Sequence, residues 1–362
     1  MSKKVSVVAF TEPGLLRMTE VETAFLNINE RCGEDWIITC SFKPENLKEW
    51  CAEAFAEADC IFFVCATGIA VRTIAPFLIS KTKDPAVLVM DDLGLNLVAL
   101  ISGHIGGANE LAGLLAADLE AHPVITTSSD VHGKIPIDAW AIKNNLYITD
   151  MIAAKKVAME LVEGRRVGLY CDCGIVGMVP EELVLLDGEE DLPEDVKWSV
   201  VITHKILSKD ISQVRKKNIL WLIPRLNAIG VGCKRGKTCK EIEAAVKMTL
   251  EDAGIDMRSI GKMASIDIKS VEDGLQEFAM EYNIPLSFFS GKELDKLPGD
   301  FQESDFVKGI TGVDNVCERA AIMAILRDEP GASRDKNLLV PKNRCHGVTV
   351  AVAGKKGSII FE

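Results

Sequence analysis

The sequence predicts an α/β protein of several domains, with mostly parallel sheets flanked by helices. Two patterns carry this reading. Apolar runs of strand length alternate with longer segments of helical period, the layering expected of parallel sheets with crossover helices. Glycine-bearing loops lead from several runs into the helices that follow, as at 102–109 and 230–238. Length agrees: 362 residues exceed the ~250–300 at which one hydrophobic core stops growing.

The elements follow in order. A first domain covers 1–138. Its opening run, Val5–Phe10, ends at Thr11-Glu12-Pro13; it is short for a signal core and reads as a buried strand. Ile61–Val64, Val87–Met90 and Leu95–Ile101 read as strands, with a short one at Val124-Ile125. Glu45–Glu57 and Ala108–Leu119 have helical spacing. A middle segment, 139–224, holds a helix at Met151–Glu163 and strands near Arg166–Tyr170, Val200–Thr203 and Ile219–Ile223. Its acidic stretch Asp187–Asp195 reads as a solvated loop. A third domain, 225–362, has a strand at Ala228–Gly232 and helices at Thr238–Ala253, Val271–Tyr282 and Asn315–Leu326. Gly291–Asp305 and Glu329–Lys336 read as loops, the second mobile, and Val348–Val352 and Gly357–Phe361 as final strands.

Composition narrows the function. Apolar residues make up 48% and charged residues 26%, which excludes disorder for most of the chain. A net charge of −12 makes nucleic acid and anionic membranes poor partners. No apolar stretch reaches the ~18 residues of a spanning helix. Eleven cysteines, an odd number without a signal segment, argue against a disulfide framework and for a reducing cytoplasm. Cys171-Asp172-Cys173 has no second pair at zinc spacing and reads as packing thiols. His122, His132, His204 and His346 have no partners at metal spacing and read as structural or surface residues.

Ser102-Gly103-His104-Ile105-Gly106-Gly107-Ala108-Asn109-Glu110 is the densest constellation. It joins an apolar run to a helix. Its glycines allow close backbone approach. A helix start favours carboxylate or phosphate through its free N–H groups and dipole, and a histidine there can act as acid or base. A tight packing loop with Asn109 as helix cap is the alternative. The glycine spacing does not match a dinucleotide fingerprint. Thr126-Thr127-Ser128-Ser129-Asp130 would share the same carboxyl edge if the sheet is parallel. At Thr67–Pro76, Thr67 suits a helix cap, Gly68 a close ligand approach and Arg72 a bidentate grip on a carboxylate; an ordinary capped helix explains it equally. Asp91-Asp92 either shapes a turn or supplies a catalytic carboxylate.

In the third domain, Gly230-Val231-Gly232-Cys233-Lys234-Arg235-Gly236-Lys237-Thr238 again enters a helix. Cations and glycines together suit an anion, though the spacing is not that of a P-loop. Asp267, Lys269 and Glu272 cluster near another helix start, where helix electrostatics alone would explain an acid. Gly312–Ala321 reads as a capped helix with Glu318-Arg319 near its start.

These segments, in this order, resemble the cobalt-precorrin-5A hydrolase family of cobalamin biosynthesis. The carrying residues are Thr67–Pro76, Asp84–Val87 with Asp91-Asp92, Ser102–Asn109, Thr126–Asp130, Gly230–Gly236, Ile266–Glu272 and Gly312–Glu318. Ser128-Ser129, Ser265, Cys317 and Arg319 depart from the family pattern. The resemblance implies that water opens a ring-A δ-lactone on a cobalt tetrapyrrole. The freed two-carbon fragment then leaves as acetaldehyde by a retro-aldol-type cleavage, giving cobalt-precorrin-5B. The substrate's many carboxylates would suit Thr67, Gly68, Arg72, Ser102, Gly103, Gly106, Gly107, Asn109, Thr126, Thr127, Asp130, Lys234, Arg235 and Gly236. His104 is the expected base, with Asp92, Glu110 and Glu272 as alternative carboxylates and the N–H groups of Gly106 and Gly107 as oxyanion donors. Cobalt enters with the substrate, so no separate metal or cofactor is expected. Partners expected are the cobalt tetrapyrrole and neighbouring corrin-pathway enzymes; self-association into a homo-oligomer stays open. A non-catalytic carrier of corrin intermediates and a nucleotide-using transferase are the rival readings; acetaldehyde formation and a nucleotide titration discriminate them.

Overall fold

The computed structural model describes residues 2–186, 195–206, 218–298, 301–302, 308–309, 311–327, 338–355 and 357–361. The chain divides into two compact units, 1–140 and 141–362.

The first unit is built on one six-stranded sheet of order β2-β1-β3-β4-β5-β6. Its strands are β1 (Lys3–Ala9), β2 (Trp36–Phe42), β3 (Cys60–Val64), β4 (Ala86–Met90), β5 (Asn96–Ile101) and β6 (His122–Val124). Strands β1 to β4 run parallel. Strand β5 reverses against β4, and β6 runs with β5. The reversal follows from the connection, which is too short for the crossover a parallel neighbour needs. Asp91 shapes that turn: its carboxylate accepts from the N–H groups of Leu93 (3.0 Å), Leu95 (3.2 Å) and Asn96 (2.7 Å).

Helices cover both faces. Strand β3 is buried along its whole length, as a central strand covered on two sides must be. Phe62 joins the core under α1 (Glu12–Cys32) and α4 (Ala108–Asp118), while Phe63 joins the core under α2 (Leu47–Glu57) and α3 (Thr67–Ile74). Helix α1 has no counterpart in the sequence reading. Thr11 caps it by accepting from the Gly14 N–H at 3.0 Å, and Pro13 fits the first turn, where its missing N–H costs nothing. Met18, Val21, Phe25 and Ile28 then form its buried stripe. Two short helices follow β6 in sequence, α5 (Ser128–Val131) and α6 (Ile137–Lys143).

The second unit holds two five-stranded sheets and a ribbon. The first sheet has order β10-β8-β11-β12-β7. It contains β7 (Leu146–Ile148), β8 (Val167–Cys171), β10 (Leu183–Leu185), β11 (Trp198–Ile202) and β12 (Asn218–Pro224), with α7 (Met151–Val162) after β7. All its pairs are parallel except β7–β12. The second sheet has order β15-β14-β13-β17-β16. Here β13 (Asn227–Cys233), β14 (Ile260–Ile266) and β15 (Leu286–Phe289) run parallel. Strand β17 (Val348–Gly354) is antiparallel to both β13 and β16 (Leu338–Cys345). One core lies under α8 (Cys239–Asp252) and α9 (Asp273–Glu281), the other under α11 (Cys317–Leu326), which follows the short helix α10 (Gly291–Asp295).

The two final predicted strands join different sheets: β18 (Ser358–Phe361) pairs in parallel with β9 (Gly174–Gly177). The expected loop at Gly291–Asp305 begins instead with α10, because Ser290 and Glu293 form a capping box. The expected acidic loop, save Asp195, and the expected mobile loop at Glu329–Lys336 lie outside the described residues. All eleven cysteines are free. Among the described residues, no helix is long and apolar enough to cross a membrane.

Candidate active site

Strands β5 and β6 run together, so the loops at their C-terminal ends, 102–107 and 125–131, share one sheet edge. The first loop is shaped by steric demands. Ser102 has φ +56° and donates its Oγ hydrogen to the Asp84 carbonyl at 3.0 Å. A side chain at Gly106 would place Cβ 2.5 Å from the Ser102 Cβ, and one at Gly103 would place it 2.6 Å from Asn109 Oδ1. Gly107 turns into α4 with φ +82°, a conformation favoured by glycine.

That geometry corrects two expectations. Asn109 is not the helix cap; it lies in the first turn of α4 and is buried. The helix start is also not open to a ligand through Gly107. The Gly107 N–H donates to the His104 carbonyl (3.0 Å), Ala108 N–H to Ser102 (3.2 Å) and Asn109 N–H to Gly103 (2.9 Å). The loop folds its own carbonyls over the orphan donors of the helix, which removes Gly107 as an oxyanion donor.

Side chains converge where the helix dipole was expected to act. His104 Nε2 lies 2.7 Å from Asp130 Oδ2 and 3.1 Å from Ser129 Oγ. Asn109 Nδ2 donates to the same Asp130 oxygen at 3.1 Å and to Thr127 Oγ1 at 3.0 Å. Asn109 Oδ1 is buried against Gly103 and has no hydrogen-bond partner. On the other side of the ring, His104 Nδ1 lies 3.8 Å from Asp138 Oδ1. Lys81 donates to Asp138 Oδ2 at 2.7 Å. Burial works against the Asp138 charge. The Lys81 hydrogen bond and charge, the nearby His104 and the Ala139 N–H outweigh it, so this carboxyl lies below its ordinary range. His104 and Asp138 are largely buried, with side chains 17% and 11% exposed, while Asp130 at 33% is open to solvent. A histidine held between two carboxylates, at the mouth of a sheet edge, can take and return a proton.

The other first-unit candidates lie elsewhere. Because β3 and β4 run opposite to β5, Thr67, Gly68, Arg72 and Asp92 follow strand ends on the far edge of the sheet. The five residues of β4 at ~3.3 Å each separate the edges by roughly 16 Å. Asp92 therefore cannot act on the same proton as His104; it accepts from Thr11 Oγ1 at 2.7 Å. Thr67 is the first residue of α3 and makes no side-chain cap; Thr67, Gly68 and Arg72 are exposed. Glu110 is exposed in the first turn of α4, and Thr126 is exposed before α5.

In the second unit, Lys234 and Arg235 are exposed in the loop after β13. Glu272 is buried beside that loop. It accepts from the Gly236 N–H at 2.8 Å and from Lys269 Nζ at 2.9 Å, and these contacts hold its carboxyl below the usual range. The anion expected at Gly236 is thus supplied by the chain itself. Arg319 is buried, bonded to the Leu294 and Leu297 carbonyls (3.1 and 2.8 Å) and paired with Asp314. Glu318 accepts from the Lys342 N–H (2.7 Å) and Asn315 Nδ2 (2.7 Å). Both fix loops around α11. Asp172 accepts from Thr203 Oγ1 at 2.6 Å, and Cys171 Sγ lies 3.5 Å from the Cys173 carbonyl. Among the described residues, no three His, Cys, Asp or Glu side chains are grouped to hold a metal ion.

Comparison with known proteins shows the family of the chain. Three family models match: cobalamin synthesis G N-terminal over residues 49–130, the cobalamin biosynthesis central region over 135–224, and cobalamin synthesis G C-terminus over 227–353. A cobalt-precorrin-5A hydrolase from Priestia megaterium is 33% identical over 81% of this chain and 78% of its own. The chain belongs to the cobalamin synthesis G family. Another cobalt-precorrin-5A hydrolase, from Salmonella typhimurium, is 32% identical over 74% of this chain and 77% of its own. Among solved structures, CobE, a protein from the cobalamin (vitamin B12) biosynthetic pathway, is 30% identical over 36% of this chain and 90% of its own, with a TM-score of 0.34.

In this family member the sequence reading missed three groups of the cluster: Ser129 and Asp138 beside His104, and Lys81 bonded to Asp138. Ser129 stood in the quoted Thr126–Asp130 segment without a role. Lys81 and Asp138 stood in no motif. Asp138 follows Ile135-Pro136-Ile137, and the only local signal was an acid near a helix start, which is common for electrostatic reasons alone.

Proposed function

We propose that this chain is a cobalt-precorrin-5A hydrolase, with His104 as its proton-transfer residue. The observation that carries the reading is the cluster of His104, Asp130, Ser129 and Asp138 at one sheet edge of a chain whose relatives bear that name. Water adds to the ring-A δ-lactone, and the ring C–O bond breaks to give a carboxylate and a secondary alcohol. Removal of the alcohol proton then breaks the adjacent carbon–carbon bond. Acetaldehyde leaves, and the macrocycle takes up the electron pair and a proton. Both stages need proton transfers, and the first also needs a donor for the lactone oxyanion; the Gly106 N–H is the loop donor proposed for that oxygen.

Neither stage calls for a redox or group-transfer cofactor, and cobalt comes as part of the substrate. The enzyme would work in the cytoplasm, beside other enzymes of the corrin pathway. The test is anaerobic incubation with cobalt-precorrin-5A, trapping acetaldehyde and weighing the corrinoid by mass spectrometry. Stoichiometric acetaldehyde with the matching mass loss is expected. Tight binding without acetaldehyde would make the chain a carrier of corrin intermediates, and no binding would refute the reading altogether.

A further inference from the structure

We propose that His104 Nδ1 and Asp138 Oδ1 together hold the water that attacks the lactone, and that Lys81 is the residue that positions Asp138. The inference rests on the hydrolase reading above and assigns its first step to atoms.

The two ring nitrogens have different surroundings. Nε2 is taken by Asp130 Oδ2 at 2.7 Å, with Ser129 Oγ at 3.1 Å. An ionised carboxylate only accepts hydrogen bonds, so this contact keeps a proton on Nε2. Nδ1 is then the nitrogen free to take a proton when the ring is neutral. It faces Asp138 Oδ1 at 3.8 Å. That gap is too long for a direct hydrogen bond, yet one water about 2.8 Å from each atom bridges it. Oδ1 already accepts the Ala139 N–H at 3.1 Å and keeps a second acceptor site.

The step balances. The water oxygen bonds to the lactone carbonyl carbon and gives one proton to Nδ1. Its other hydrogen points at Asp138, which stays ionised; that hydrogen remains on the new carboxylic acid and is lost to solvent as the acid ionises. The ring C–O bond breaks, and the leaving oxygen receives the Nδ1 proton. Lys81 bonds Oδ2 at 2.7 Å, which turns Oδ1 toward the ring. Among the described residues, the charged groups facing His104 include Asp130 from α5, Asp138 from α6 and, through Asp138, Lys81 from the segment before β4.

The experiment compares the full chain with Asp138→Asn, Lys81→Met and Lys81→Arg, measuring kcat, KM and the pH profile of acetaldehyde release. Asp138→Asn should lower kcat ~100-fold or more with KM within about threefold, because it removes an interaction with the reacting water. Lys81→Met should lower kcat by less and move the acid limb of the profile to higher pH, since removing a cation beside the Asp138–His104 pair makes protonation there easier. Lys81→Arg should restore that limb. A carboxylate that merely braces the fold would leave the limb in place. Lys81 has a 58% exposed side chain, so its variants report even if Asp138→Asn fails to fold. Turnover of Asp138→Asn within threefold of the parent, or an unmoved limb in Lys81→Met, overturns the inference alone. No acetaldehyde from the unsubstituted chain overturns the hydrolase reading and the inference with it.

Discussion

Two glycines, one in the loop before α4 and one in the middle of that helix, should respond to the same substitution with opposite signs. In Gly103→Ala the new methyl would lie 2.6 Å from Asn109 Oδ1 and 3.0 Å from its Cγ and Nδ2. Ordinary contact begins at 3.4 Å, so the Asn109 amide must move by about 0.8 Å. Its bonds to Thr127 Oγ1 and Asp130 Oδ2 start at 3.0 and 3.1 Å; a displacement of that size lengthens them beyond hydrogen-bonding distance. Two bonds at ~1 kcal/mol each, together with overpacking strain of ~1 kcal/mol or more, give a destabilisation of roughly 3 kcal/mol or more. Gly113 sits on the exposed side of the same helix with nothing within 4 Å of a new methyl. There alanine should stabilise by about 0.5–1 kcal/mol. Equilibrium urea unfolding of both variants, followed by far-ultraviolet circular dichroism, measures the contrast. Gly103→Ala should also slow acetaldehyde release, because Asp130 loses one of its donors. If Gly103→Ala proves as stable as the parent, or the two substitutions shift stability in the same direction, the packing argument for this loop is wrong.

Other outcomes follow from the same geometry. His104→Ala should lower acetaldehyde turnover ~100-fold or more; a loss within threefold would remove His104 from the chemistry. Arg319→Met should cost roughly 3–5 kcal/mol in urea unfolding, since it leaves Asp314 and two loop carbonyls without their cation; a loss under ~1 kcal/mol would show that the loops do not depend on it. The Asp138 carboxyl is depressed in the folded chain, so its contribution is complete above the ordinary aspartate value of ~3.9 and is lost as pH falls through the lower folded value. The urea midpoint of the parent should therefore exceed that of Asp138→Asn at pH 6, and the gap should narrow below about pH 4; a gap that widens there contradicts the sign.

Much of the fold was legible from local signals. Strand-length apolar runs such as Val87–Met90 and the helical stripe of Ala108–Leu119 declare themselves because burial selects residues at the period of the element. Helix α1 escaped because Glu12-Pro13 was read as the end of a strand, when Thr11 and Pro13 form a helix start. The loop 102–107 was legible as a special place because glycine and histidine there break the apolar pattern. What the sequence determined by itself was the class of fold and the family resemblance, with His104 as the candidate residue to follow. Only the tertiary structure decided which groups His104 meets. The direction of β5 is set by a short turn organised by Asp91, and that reversal places Asp92, Thr67 and Arg72 on the far edge while aligning the ends of β5 and β6. Asp130, Ser129 and Asp138 reach the imidazole from up to 34 residues away in sequence, and Lys81 reaches Asp138 across 57. Such pairings arise from packing between elements, which no local periodicity records.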